Sequence, residues 1–275
     1  MVEAELEFAP ELKRLFPQAT PRARPSWSIP LQNGRSHMCR ASIGNDVLIL
    51  TTGLLGISAF PQTIMAMNTS LPASSRIVCT VDGLRLRTER ALQGDATFSR
   101  VCEAAMLEFQ FSLDVFGGAS TPIPASRSIF ALETEDPAPH WNARENGDGT
   151  WSVPLIEHRA VLMASPLFVK AYGIPQDGYP EDVRSALAEY LLRVTSQVLF
   201  VKACATPDSD TNWTGWLQAS PCVCGMDEAL TSVFVAHRES ASAARALSEV
   251  RIAQRFREIG SIWGAGAAPI SQERR

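Results

Sequence analysis

Residues 116–130, FGGASTPIPASRSIF, combine paired glycines, a run of hydroxyls and Arg127. These residue types can hold an anion through backbone amides, hydroxyl donors and a guanidinium. A phosphate loop of the Gly-x-x-x-x-Gly-Lys-Ser/Thr form also needs its lysine and a helix opening directly behind it. The segment has no lysine, and Pro122 and Pro124 remove two amide donors and disfavour helix in the residues before them. The expected role is therefore a connector between two elements, with an anion contact by Ser126, Arg127 and Ser128 as the weaker alternative.

Metal and nucleophile chemistry depend on the histidines and cysteines. His37-Met-Cys39 and Cys222-Val-Cys224 each place two ligand types one residue apart. A structural zinc site usually separates its cysteines by two or more residues so that the backbone can turn around the ion. The spacing here argues for independent thiols, and neither a metal nor any other cofactor is expected. For nucleophilic catalysis a serine or cysteine must meet a histidine held by a carboxylate. The candidates are Cys222, His158 and His237. His237 shares a helical stripe with Leu230, Val233 and Phe234, which favours a packed core histidine, and His158 lies in the charged triplet Glu157-His-Arg159. No Gly-x-Ser-x-Gly elbow accompanies them. Glu133, Glu135 and Asp136, like Asp208 and Asp210, read as solvated loop acids.

Arginine supplies most of the positive charge, since only Lys13, Lys170 and Lys202 are lysines among 25 basic residues. Residues 11–40 carry six basic residues against Glu11 alone, in a chain whose net charge is −4. Arg22, Arg24, Arg35 and Arg40 in this segment, with Arg127 and the helix pair Arg251 and Arg255, are the candidates for contact with phosphate or another anion. Pro10, Pro17, Pro21, Pro25 and Pro30 interrupt the same segment and exclude a continuous helix or a central strand. An extended arm over residues 1–40 is expected, lying on a surface of its own chain or of a neighbour.

The elements behind these residues mix strands and helices. Asp82-Gly83 lies between two alternating runs in residues 76–88 and predicts a hairpin. The glycine-broken apolar run from Val47 to Phe60 predicts a buried strand pair. Helical spacing from Thr97 to Glu108 passes into period-two alternation at Phe109, Phe111, Leu113 and Val115, which predicts a helix leading into a strand. Residues 128–133, 151–156 and 161–169 are further strand candidates, and Asn146-Gly-Asp-Gly149 is a tight turn. Residues 180–198 form the strongest helix, opened by Pro180, Glu181 and Asp182, with residues 199–205 leaving it as a strand. Residues 227–239 and 241–263 are two more helices, and no internal repeat is visible.

With 275 residues and 45% hydrophobic content, the chain can bury a substantial core. The expected fold is α+β, a single mixed domain with antiparallel strands and about four packed helices. Its body spans residues 41–263, followed by a flexible tail at 264–275. Glu3, Glu5 and Glu7 replace the basic and apolar start of a secretory signal, and no run reaches the roughly 20 residues of a membrane helix. Reduced thiols, a cytoplasmic location and no membrane partner are expected. The functional expectation is a non-enzymatic subunit of a larger homo- or hetero-oligomeric assembly, with nucleic acid as a candidate partner through the arginines. The alternative is an enzyme with a dispersed site using histidine, cysteine and arginine residues.

Overall fold

The structure is a computed structural model that describes residues 10, 13–14, 17–18, 20–21, 26–30, 36–44, 46–56, 59–92, 98–116, 132, 134–155, 160–171, 181–207, 213–243 and 246. It is an α+β fold with two antiparallel sheets. The first sheet comprises β1 (Thr20–Pro21), β2 (Ser26–Pro30), β3 (Ser36–Gly44), β4 (Val47–Thr52), β5 (Ser75–Thr80) and β6 (Gly83–Ala91), in the order β1-β2-β3-β4-β6-β5. Helix α1 (Pro61–Thr69) lies between β4 and β5, and α2 (Phe98–Phe116) follows β6.

The second sheet comprises β7 (Arg144–Glu145), β8 (Trp151–Leu155), β9 (Ala160–Ser165), β10 (Phe168–Ala171), β11 (Lys202–Pro207) and β12 (Trp213–Ala219). Its order is β7-β8-β9-β10-β12-β11, the same as that of the first sheet. Helix α3 (Glu181–Gln197) lies between β10 and β11, and the short α4 (Pro221–Cys224) and α5, residues 226–243, follow β12. Helices thus occupy the same places in both halves. A repeat absent at the level of residue identity is present in the topology, which corrects the sequence expectation. Period-two and period-3.6 patterning preserve a fold while individual residues diverge.

The hairpin β5–β6 forms as expected, with the turn at Val81 and Asp82 and Thr80 paired to Gly83. Gly83 takes φ +133, a conformation that favours glycine, as the chain enters β6. The helix–strand boundary expected near Phe109 is not there, because α2 runs unbroken to Phe116. No glycine or proline interrupts residues 98–116, and Cys102, Ala105, Met106, Phe109 and Leu113 form one buried helical face. The period-two alternation of Phe109, Phe111, Leu113 and Val115 was incidental to that helix. Of residues 47–60, β4 is a strand and the described residues 53–56 and 59–60 are irregular, so the expected strand pair is not formed there. Residues 161–169 divide into β9 and the start of β10 around Pro166 and Leu167, and α5 continues through residues 240 and 241 without the expected break.

In the basic segment, the described strands β1, β2 and β3 are extended but join the sheet. β3 is an interior strand between β2 and β4 and crosses the boundary expected at residue 40. Pro21 and Pro30 stand at the ends of β1 and β2, and no proline follows until β3 is complete, so its ladder loses no donor.

Residues of both halves share one apolar core, from Leu48, Leu50, Ile77 and Leu86 to Leu162, Val169, Leu217 and Val233. α2 packs on β4, β5 and β6 of its own sheet, whereas α3 reaches across to β5 and α1 reaches across to β11. Among the described residues no helix is long and apolar enough to cross a membrane.

Candidate functional site

The densest chemistry lies where the two halves meet. Strand alternation sends Leu84, Leu86, Thr88 and Arg90 of β6 to one face, and Arg85, Arg87 and Glu89 to the other. On the first face, Arg90 meets Glu108 of α2 at 2.9 Å, and the Ser74 hydroxyl also donates to Glu108. Both charged side chains are at most 1% exposed. On the second face, Arg76 of β5 donates to Glu89 at 2.7 Å.

That second pair is completed by the other half of the chain. Arg76 also donates to the carbonyls of Val198, at 2.8 Å, and Val201. Glu89 accepts the amide of Phe200 at 2.6 Å. Phe200 adopts φ +62, a left-handed conformation costly for a bulky residue, and the buried carboxylate receives its amide there. Arg87 donates to the carbonyl of Ser196 at 3.0 Å. Every one of these backbone groups, the three accepting carbonyls and the donating Phe200 amide, lies at the end of α3 or in the loop after it.

The contact is matched from the opposite side. Lys202 of β11, 2% exposed, donates to the carbonyls of Leu71, at 3.0 Å, and Pro72, in the loop after α1. Burial pulls its ammonium down to about 8, while the nearby Cys204 and Glu108 act in the opposite direction. Asn68, fully buried in the last turn of α1, accepts the amide of Ile77 at 2.6 Å and donates to the carbonyl of Ala203 at 3.1 Å. It therefore caps the edges of β5 and β11 together. Thr69 donates to the Ala205 carbonyl at 3.0 Å, and Ser196 accepts the Cys79 amide at 2.8 Å. Side chains thus satisfy strand-edge groups that would otherwise be open to pairing with another chain.

Chemically this seam is suited to cohesion. Its cations already hold carboxylates and carbonyls, and its thiols are weak nucleophiles. Burial pushes Cys204 up to about 11, raises Cys222, and raises Cys224 well above the usual thiol range. A reactive cysteine needs the reverse shift.

The residues singled out from sequence are scattered. Cys222 is buried in α4 with its sulfur 3.0 Å from the Ser220 hydroxyl, and His237 is buried in α5 beside Val233 on the expected stripe. His158, Arg22, Arg24, Arg35, Arg127, Arg251 and Arg255 lie outside the described residues, as do the side chains of His37 and Cys39. Arg40 is exposed on β3, in a cross-strand row with Thr51 and Arg87.

Sequence reasoning missed Arg76, Glu89, Arg90, Glu108, Asn68 and Lys202. The available signals were Lys202 inside the apolar run Val201-Lys-Ala-Cys-Ala205, and Arg76 at the start of an apolar strand.

Beyond the seam, the same sheet faces open to solvent and differ between halves. The pair Gly44–Val47 closes the β3–β4 turn, and Ser165–Phe168 closes the β9–β10 turn. Counting back two and four residues gives exposed Ser42 and Arg40 in the first half. The matching positions in the second half are Met163 and Val161, 39% and 54% exposed, with exposed Pro154 paired to Val161. No protein-family model and no curated protein matches the chain.

Proposed function

We propose that the chain is a non-enzymatic subunit of a larger oligomeric assembly, which it joins through the open face of its second sheet. The observation that carries this reading is the exposed pair Val161 and Met163 at positions where the equivalent strand holds Arg40 and Ser42. The fold accepts polar residues there, so packing within the chain does not require apolar ones. Contiguous exposed apolar surface marks a partner contact. Leu167, in the adjoining turn, is a further apolar residue exposed to 53%.

Light scattering across a concentration series, with absorbance at 260 nm recorded, tests the reading. A mass above the monomer that falls to the monomer in Val161→Asp/Met163→Asp, with unchanged circular dichroism, is the expected result. A nucleic-acid-free monomer at every concentration counts against it.

Nucleic acid remains a second partner for this reading, through the first sheet, where Arg40 is exposed beside Thr51 and Arg87. Arg40→Ala should then lower the salt slope of binding by about 0.9 on duplex DNA, one phosphate contact fewer. The enzyme alternative, built on His158, His237 and Cys222, has less support because His237 and Cys222 are buried. Free thiols at Cys79, Cys102, Cys204, Cys222 and Cys224 favour the cytoplasm as its location.

A further inference from the structure

We infer that the chain is a fused pair: two equivalent half-units docked through an interface of the kind that joins two identical subunits, so that each half carries a surface recognising another half-unit. Four observations converge. Both sheets have the same strand order, with a helix between the fourth and fifth strands and another after the sixth. The middle helix of each half packs on the fifth strand of the other, α1 on β11 and α3 on β5, and the two helices touch.

The last turn of each middle helix also binds the edge of that opposing strand, through Asn68 and Thr69 on β11 and through Ser196 on β5. Finally, each fifth strand sends a buried cation to carbonyls that precede the other fifth strand. Arg76 reaches Val198 and Val201, and Lys202 reaches Leu71 and Pro72.

Reciprocity of this kind, in which one surface meets its own counterpart, defines an isologous two-fold contact. Residue identities have diverged across it: Arg76 holds a carboxylate, whereas Lys202 is paired in register with Gln218. The geometry has been kept.

The segment between Phe116 and Arg144, which includes Arg127, joins the half-units in sequence. A connection of this kind raises the effective concentration of one half about the other without supplying the contacts that hold them. The interface itself should therefore suffice.

The test places a specific protease site between Pro124 and Ala125 in the full chain and cuts the folded protein. The halves should remain a 1:1 complex by native mass spectrometry at micromolar concentration. Two cut preparations that differ in isotope label should exchange halves on mixing. Arg76→Ala and Lys202→Ala should each raise the dissociation constant of the cut halves at least tenfold. Thr88→Val, which removes a hydroxyl contact with Ser75 inside the first sheet, should leave it unchanged. Separation or aggregation of the wild-type halves after cutting overturns the inference, and so does sensitivity to only one of the two cations.

Discussion

Replacing Glu89 with leucine should be among the most damaging single changes in the chain. The carboxylate is 1% exposed and holds three groups, the Arg76 guanidinium at 2.7 Å, the Phe200 amide at 2.6 Å and, more distantly, Arg87 at 3.5 Å. Its removal strands a guanidinium that is itself 2% exposed, a loss of about 3–5 kcal/mol for one partner of a buried pair. The orphaned Phe200 amide adds a penalty of about 1–3 kcal/mol. Arg76→Met is costly by the converse route, leaving Glu89 with Arg87 at a distant 3.5 Å and depriving the Val198 and Val201 carbonyls of a donor. The double variant Arg76→Met/Glu89→Leu contains no unpaired buried charge. It should therefore lose at least about 3 kcal/mol less than the sum of the two single variants.

Urea denaturation followed by circular dichroism measures all four proteins, with sucrose added equally where a single variant is too weak to fold alone. Additivity within about 0.5 kcal/mol would refute the argument, because it would mean that the two charges do not depend on each other.

Lys202 predicts a pH dependence. Its folded value of about 8, against 10.5 in the open chain, means that the unfolded state binds more protons between those values. Stability should rise across that window by at most about 3 kcal/mol relative to Lys202→Met, and be lost again as pH falls to 8, as read by urea midpoints at matched ionic strength. Asn68→Ala leaves the Ile77 amide and the Ala203 carbonyl without their partner and should cost about 2–5 kcal/mol by chemical denaturation. Cys204, Cys222 and Cys224 should resist a thiol-specific chromogenic reagent at pH 8 until the protein is unfolded, because burial holds all three protonated. Rapid labelling of any of them in the folded protein would contradict that placement.

Local pattern carried a good part of the fold. The β5–β6 hairpin follows from alternation around a glycine-containing turn, α3 from its acidic start and apolar stripe, and the bend at residues 146–149 from its two glycines. The burial of His237 was likewise legible, because its neighbours Leu230 and Val233 share its helical face. α2 was misread beyond Phe109 because four alternating apolar residues satisfy a strand period locally, while the helix is held by packing on β4, β5 and β6.

Within the sequence alone, alternation determined the hairpin of residues 76–88 and sent every second residue of each strand to one face, and composition determined that the chain could bury a core. Whether that face met water or protein was decided by α3 and its following loop, more than a hundred residues away. The same holds for Asn68 and Lys202, whose partners are backbone groups of distant segments and leave no trace in nearby residue types. Backbone carbonyls and amides are common to every sequence, so a site built largely from them becomes visible only when the two halves are docked.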